Sequence, residues 1–162
     1  MDFVALTEQF CAAATAGTGA DLAALFAEDG VYHDGFYGAF HGRAAIADMI
    51  DNHFRRDAED FAWKMYDPAL SDHVGYAHYV FAYTAKFNGA KGRRVVFEGI
   101  GRFRLAAGLI AAYDEIFDAG IAMVQLGFAA ERIVKRAERA AGILRTQTEL
   151  ARFMMPAPDA GG

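Results

Sequence analysis

The chain has 162 residues, of which 54% are hydrophobic and 23% charged, and its formal net charge at pH 7 is −5. This length fits one domain with a sizeable core. The acidic balance and the scattered basic residues argue against a nucleic-acid-binding face. Cys11 is the only cysteine, so an intrachain disulfide is excluded. No signal-peptide pattern and no apolar run of membrane length occur, so we expect a cytoplasmic protein that does not enter a membrane.

Helical spacing of apolar residues predicts three helices in the first third of the chain. The first begins near Phe3 and ends at Gly17, and Asp21 caps a short second helix whose apolar stripe reaches Phe26. A short strand over residues 31–34 and a glycine-rich loop follow. The third helix then carries five residues on one side: Ile46, Met49, Ile50, His53 and Phe54.

From Phe61 onward the period changes from helical to alternating, which predicts long strands. Turn signals at Asn88-Gly89 and Ala107-Gly108 divide them into a meander, which indicates an antiparallel sheet with helices on one face. Gly99 and Gly101 lie on one side of a strand and favour strong bending. The predicted fold class is therefore α+β, with a cone-shaped, strongly curved antiparallel sheet wrapped around the N-terminal helices.

The segment from Ala119 to about Phe153 returns to helical spacing and predicts an added long C-terminal helix. Its apolar stripe covers either its own sheet or a second copy of the chain, and the sequence leaves both alternatives open. We expect one domain over residues 1–155 that includes this helix, a disordered tail over residues 156–162, and a homodimer.

Three stretches of the sequence stand out as local signatures. They are ADLAALFAEDGV at residues 20–31, GRAAI at residues 42–46, and Gly108-Leu109-Ile110 followed by YDEIFD at residues 113–118. In this order they resemble the second helix, the start of the third helix and the closing strand of the nuclear transport factor 2-like superfamily. The resemblance covers roughly residues 7–118 and is nearest to the SnoaL-like group. The superfamily includes isomerases, polyketide cyclases, dehydratases, epoxide hydrolases and non-enzymatic domains, so the resemblance implies the fold rather than one function.

The first strand offers one candidate base. Alternation places Tyr32 and Asp34 on the same face, and in the ketosteroid isomerases that this region resembles the catalytic base lies where Asp34 stands. The alternative is a turn aspartate that caps the loop at Gly35. The resemblance also implies that Phe10 and Gly101 replace the isomerases' two oxyanion donors, so we do not expect a steroid isomerase of the usual design.

Glu115 is the second candidate acid. It shares one face of the closing strand with Tyr113 and Phe117, and this face is predicted to point inward. An acidic residue at this position in limonene-type epoxide hydrolases works with an Arg-Asp pair, but residues 74–87 contain neither residue type. Catalysis and a structural hydrogen bond to a tyrosine hydroxyl or to a helix residue both remain open for Glu115.

The histidines and glycines give weaker signals. His41 lies just before Gly42 and is interpreted either as an acid or base over the pocket or as a surface residue. The other four histidines lack metal-ligand spacing, so we predict no metal site. The glycine-rich loop is not a phosphate-binding fingerprint, and we expect no cofactor.

The aromatic residues predict an apolar pocket for a small hydrophobic molecule. The proposed lining residues are Phe10, Trp63, Tyr79, Phe81, Tyr83, Phe97, Phe103, Tyr113 and Phe117. The leading hypothesis is a cofactor-independent isomerase, cyclase or dehydratase that acts on a cyclic ligand. Asp34 would be its base, Tyr32 and Tyr113 would orient the ligand, and Glu115 or His41 would be the second proton carrier. The alternative is a non-catalytic binding or dimerisation module.

Overall fold

A computed structural model describes residues 2–146, 150 and 153 of the chain. It divides into two compact units, residues 1–127 and residues 128–162. The helices are α1 (Phe3–Thr15), α2 (Gly19–Ala24), α3 (Gly42–Asp48), α4 (Arg55–Asp57), α5 (Ala119–Gln125) and α6 (Ala130–Thr146). The strands are β1 (Phe26–Asp34), β2 (Gly38–His41), β3 (Ala58–Ser71), β4 (Val74–Ala85), β5 (Arg94–Ala106) and β6 (Leu109–Phe117). The predicted tail over residues 156–162 lies outside the described residues.

The first two helices begin at side-chain caps. The Asp2 carboxylate accepts a hydrogen bond from the Ala5 N–H at the start of α1. At α2 the cap is Thr18, and Asp21 completes a reciprocal capping box with it, so the prediction that Asp21 itself caps the helix was wrong by three positions. Phe26 begins β1 instead of continuing the stripe of α2.

The six strands form one sheet in the order β2-β1-β6-β5-β4-β3. The β1–β6 pair is parallel, whereas the other four pairs are antiparallel. The prediction of a purely antiparallel sheet was wrong in this one pair. Local turn signals predict the antiparallel meander of β3 to β6. β6, however, also pairs with β1, which lies far away in the sequence, so no turn between the two strands sets their relative direction.

β1 is longer than predicted and is paired on both sides. Its pairing with β6 has a register shift between Phe26 and Val31, so Asp29-Gly30 lies in an irregular part of the strand and not in a turn between elements. The glycine-rich loop contains β2, which pairs with the end of β1 so that Asp34 stands opposite Gly38. Gly38 has a φ of 97°, a conformation that glycine adopts at low cost.

The third helical segment changes its winding at Met49. After α3, residues Met49–Phe54 form a π-helical stretch, and α4 follows directly. The predicted apolar side is confirmed, because Ile46, Met49, Ile50 and Phe54 are buried while His53 is only half-buried. This side packs the segment into the core of the first unit.

The core of the first unit is an aromatic cluster between α1 and the inner face of the sheet. Phe10 is fully buried at its centre, with ring-centroid distances of 4.7 Å to Tyr113 and 5.3 Å to both Trp63 and Phe103. The Tyr32 ring stacks on Phe10 at 6.0 Å. The predicted alternation of β5 is confirmed, with Val95, Phe97, Gly101, Phe103 and Leu105 all buried.

The predicted long C-terminal helix is divided into α5 and α6. Gly127 lies between them with a φ of 77°, a left-handed conformation that ends α5 before α6 begins. In the second unit, α6 is amphipathic, as the sequence predicts, and none of its residues is buried. The Arg132 guanidinium lies 4.4 Å from the centre of the Phe128 ring. No helix among the described residues is long and apolar enough to cross a membrane.

Candidate functional site

The candidate site is centred on Glu115 of β6. Tyr113, Glu115 and Phe117 share the inner face of this strand as predicted, with Tyr113 fully buried, whereas Ile116 between them is 80% exposed on the outer face. The Tyr113 hydroxyl donates a hydrogen bond of 3.2 Å to Oε2 of Glu115. The expected hydrogen bond to a tyrosine is therefore present, and it fixes the carboxyl group within the aromatic cluster.

The surroundings of Glu115 raise its pKa from 4.5 to about 7. Burial is the main cause and the negative charge of Asp34 adds to it, whereas hydrogen-bonding interactions with Tyr79, Tyr113 and the Gly35 N–H partly offset both. A group with a pKa near 7 exists in protonated and ionised forms at neutral pH. Glu115 can therefore both accept and donate a proton under ordinary conditions.

Asp34 is buried at the end of β1, where it holds the β1–β2 turn. Its Oδ1 accepts hydrogen bonds of 2.7 Å from the Phe36 N–H and 2.8 Å from the Tyr37 N–H. The turn-capping alternative is thus present in the structure. The same carboxylate is close enough to Glu115 to raise the pKa of that group. Its predicted role as the base stays a prediction.

Three buried polar atoms in the cluster have no hydrogen-bond partner among the described residues. They are the hydroxyl oxygens of Tyr32 and Tyr79 and the indole Nε1 of Trp63. The Tyr79 hydroxyl lies close enough to Glu115 to lower the pKa of that carboxyl group, but the contact does not have the geometry of a normal hydrogen bond. Burial and the nearby carboxylates raise the pKa of both tyrosines, so their hydroxyls remain protonated.

Two glycines of β5 make room for the tyrosine hydroxyls. A Cβ atom at Gly99 would lie 2.7 Å from the Tyr79 hydroxyl oxygen, and one at Gly101 would lie 3.0 Å from that of Tyr113. Tyr79 stands directly opposite Gly99 in the β4–β5 ladder. The prediction of bending at these glycines does not include this role, although their position on the inner face of an aromatic-rich strand is the available signal.

The β1–β2 turn borders the site, and this contact is not among the predictions from the sequence. A Cβ atom at Gly35 would overlap the Phe117 ring, so the turn packs directly on that ring. The Phe36 ring lies 5.2 Å from Phe117 and is 41% exposed, and the Tyr37 hydroxyl donates a hydrogen bond of 2.7 Å to Asp57. The pair of glycines that flank Phe36 and Tyr37 was the signal in the sequence.

The predicted lining residues form one connected group of rings. Ring-centroid distances are 4.8 Å between Trp63 and Phe81, 5.6 Å between Phe81 and Phe97, and 4.6 Å between Phe97 and Phe117. Tyr83 contacts Phe81 at 5.8 Å, and its burial raises the pKa of its hydroxyl to about 12. Phe10, Phe103 and Tyr113 lie at the deeply buried side of the same group.

The structure does not bring His41 to this site. His41 pairs with Val31 across the β1–β2 ladder, and paired residues place their side chains on the same face. It is therefore exposed on the face opposite to Tyr32 and Asp34. Within the described part of the chain, no three His, Cys, Asp or Glu side chains are placed to share a metal ion.

Residues 7–113, about two thirds of the sequence, match the model of the SnoaL-like domain family. The chain belongs to the SnoaL-like family. This confirms the predicted family and the α+β fold class. A search of the curated proteins finds no match.

Solved structures with the same fold include several relatives of low identity. A hypothetical protein with a ketosteroid isomerase-like fold from Catenulispora acidiphila, in complex with trimethylamine, is 19% identical, with a TM-score of 0.69 over 78% of this chain and 95% of that one. An M. tuberculosis LEH-like epoxide hydrolase is 18% identical, with a TM-score of 0.61 over 76% and 87%. A putative polyketide cyclase from Xanthomonas campestris is 19% identical, with a TM-score of 0.61 over 75% and 94%.

Proposed function

We propose that this SnoaL-like chain is a cofactor-independent acid–base catalyst that moves a proton on a hydrophobic cyclic ligand. The observation that carries the proposal is the raised pKa of Glu115, about 7, at a position inside an aromatic cluster. An isomerase, a cyclase and a dehydratase all need such a group, because each reaction begins or ends with proton transfer at carbon. Aromatic walls suit an apolar ring system.

In this proposal Glu115 replaces Asp34 as the principal proton carrier. Ionised Glu115 takes the proton from a carbon next to a carbonyl group, and protonated Glu115 returns it at another position. Tyr113 holds the carboxyl group through its hydrogen bond of 3.2 Å. The charge of Asp34 raises the pKa of Glu115, and the Asp34 carboxylate holds the turn that borders the site. His41 has no part in the reaction, because it lies on the other face of the sheet.

The structural neighbours support the use of this fold for small ligands. One of them was solved with trimethylamine, and others are described as an epoxide hydrolase and a putative polyketide cyclase. These proteins differ in their chemistry, so they support a pocket for a small molecule and not one reaction. The reaction class proposed here depends on the residues of this chain.

Hydrogen–deuterium exchange tests the proposed chemistry without the natural substrate. The probe is 2-tetralone, a hydrophobic cyclic ketone, whose exchange at carbon in D₂O is followed by proton NMR. We expect catalysis by the native protein and a loss of at least about 100-fold in Glu115→Gln, since general acid–base catalysis contributes about 10²–10⁴-fold. The matched control is Glu98→Gln, because Glu98 bonds His78 on the exposed face of β5. Equal exchange in Glu115→Gln and native protein would refute the proposal.

A second candidate function is a non-catalytic binding module. It is favoured by the commitment of Oδ1 of Asp34 to two backbone N–H groups, and by Phe10 and Gly101, which offer no side-chain donors. A binding module would bind 2-tetralone without accelerating its exchange above the rate in buffer. The same NMR samples therefore separate the two functions.

We also propose that the protein forms a homodimer and is located in the cytoplasm. A dimer follows from the idea that the apolar stripe of α6, or the outer face of the sheet, binds a second copy. Light scattering after size-exclusion chromatography tests it: a mass near twice 17.6 kDa supports a dimer, and a mass near 17.6 kDa opposes it.

A further inference from the structure

The unpartnered donors of Tyr32, Trp63 and Tyr79 are the least explained feature of the site. Tyr32 and Tyr79 are fully buried, and neither hydroxyl makes a hydrogen bond of normal geometry with the residues that the structure describes. The Tyr79 hydroxyl does lie close enough to the Glu115 carboxyl group for the two to affect each other's pKa. Native proteins leave few buried polar groups unsatisfied, because desolvation without a hydrogen bond is unfavourable. Three such groups in one cluster indicate that something other than stability keeps them there.

These three side chains come from different strands and meet around Tyr113. The Tyr32 ring lies 4.9 Å from the Tyr113 ring, the Trp63 ring lies 6.4 Å from it, and the Trp63 and Tyr79 rings are 5.7 Å apart. The Tyr79 hydroxyl is close enough to Tyr32 to contribute to the raised pKa of Tyr32. Strands β1, β3 and β4 thus supply the donors, while β6 supplies Glu115.

The chemistry of the donors defines what they can bind. An indole N–H only donates, and the two phenols keep their protons, so the complementary atom is an acceptor oxygen. A ligand carboxylate is disfavoured here, because Asp34 and Glu115 would repel it. A ketone oxygen fits, and it fits better when it becomes an enolate oxygen.

We propose that Tyr32, Trp63 and Tyr79 form an acceptor-oxygen subsite for the carbonyl oxygen of the ligand on which Glu115 acts. This inference rests on the proposed function. When the Glu115 carboxylate takes the proton, the C–H electron pair forms a carbon–carbon double bond. The carbonyl π pair then moves to the oxygen, where the three donors stabilise the developing charge. Return of the proton from Glu115 to carbon restores a neutral ligand.

Binding of a matched ligand pair tests the subsite without measuring turnover. The probes are 6-fluoro-2-tetralone and 6-fluorotetralin, which differ only by the ketone oxygen, and fluorine NMR reports the binding of each. We expect the ketone to bind about tenfold more tightly than the hydrocarbon to the native protein. Tyr32→Phe and Tyr79→Phe should each weaken ketone binding about fivefold and leave hydrocarbon binding unchanged. Tyr66→Phe on the exposed side of β3 is the matched control and should change neither.

Thermal unfolding of the same variants separates a binding role from a structural one. Because neither hydroxyl makes a hydrogen bond of normal geometry within the described chain, Tyr32→Phe and Tyr79→Phe should unfold at the same temperature as the native protein or above it. Lower unfolding temperatures together with unchanged ketone binding would overturn the subsite. Equal binding of ketone and hydrocarbon by the native protein would overturn it as well.

The native protein offers a further measurement that needs no substitution. Trp63 is the only tryptophan, so its indole N–H gives a single NMR signal. We expect the ketone to shift this signal downfield, because its oxygen accepts a hydrogen bond from the indole N–H. The hydrocarbon should not produce this downfield shift. Identical spectra with both ligands would contradict the inference, even if Glu115→Gln abolishes exchange. Conversely, a ketone-specific shift with unaltered exchange in Glu115→Gln would refute the proposed function alone.

Discussion

Glu115 and Asp114 are neighbours in β6, yet they lie in opposite environments. Glu115 faces the inner aromatic cluster, and its pKa is raised to about 7 by burial and by the charge of Asp34. Asp114 faces outward and pairs with Arg102 at 2.9 Å and with Arg104 at 3.3 Å. The strand alternation alone separates a carboxyl group suited to proton transfer from one that forms ordinary surface ion pairs.

Removal of the inner charge should produce the largest effect on stability. Because the folded-state pKa of Glu115 is raised, its ionisation opposes folding: the native state loses stability as the pH rises from about 4.5 to about 7. Glu115→Gln should therefore be more stable than the native protein at pH 8, by on the order of 3 kcal/mol. At pH 4, where both states are protonated, the two proteins should be equally stable. Urea unfolding at both pH values measures this, and a destabilised variant at pH 8 would contradict it.

Filling the space beside a tyrosine hydroxyl should destabilise the inner face. A Cβ at Gly99 would approach the Tyr79 hydroxyl and lie 2.6 Å from the Ile116 carbonyl oxygen, so Gly99→Ala should cost about 1–3 kcal/mol. Gly142→Ala is the matched control, because among the described residues nothing beyond its chain neighbours and its own helix backbone lies within 4 Å of its Cβ position, and alanine favours a helix. Urea unfolding should show a loss only for Gly99→Ala. If Gly99→Ala is as stable as the native protein, the strand accommodates the methyl group and the prediction is wrong.

Neutralising Asp34 should lower the pKa of Glu115. The side-chain oxygen of an asparagine can still accept the two turn hydrogen bonds, so Asp34→Asn removes the charge and keeps the turn acceptor. The pH at which deuterium exchange reaches half its maximum should fall by on the order of one unit. An unchanged profile would show that Asp34 does not act on Glu115, and loss of all exchange would return the role of base to Asp34.

The outer face should respond least. Asp114→Asn breaks two partly exposed ion pairs, which contribute little because water screens them, so we expect a loss of about 0–1 kcal/mol in unfolding free energy. Urea unfolding at pH 8 in low and high salt measures the change. A loss above about 3 kcal/mol would show that the outer face is not an ordinary solvated surface.

The inner face could be predicted from the sequence because strand alternation has a fixed period of two. This period placed Tyr113 and Glu115 inward and Tyr32 beside Asp34, and the structure agrees on each. The meander was equally accessible, because Asn88-Gly89 marks a local turn.

Non-local pairing could not be predicted in the same way. β2 lies in a segment that the sequence predicts to be a glycine-rich loop. Its pairing with β1 places His41 on the face away from the site, and the turn between the two strands places Phe36 beside Phe117. The parallel contact of β1 with β6 depends on residues far apart in the chain. The unpartnered donors, too, follow from how β1, β3 and β4 place their rings and not from any motif.

The central claim is that Glu115 exchanges its proton near neutral pH. A carbon-13 NMR titration of the glutamate side-chain carboxyl groups, with Glu115→Gln used to assign the signal, measures this directly. We predict a midpoint of about 7 for Glu115. A midpoint below about 5, within the range of ordinary glutamates, would contradict the account.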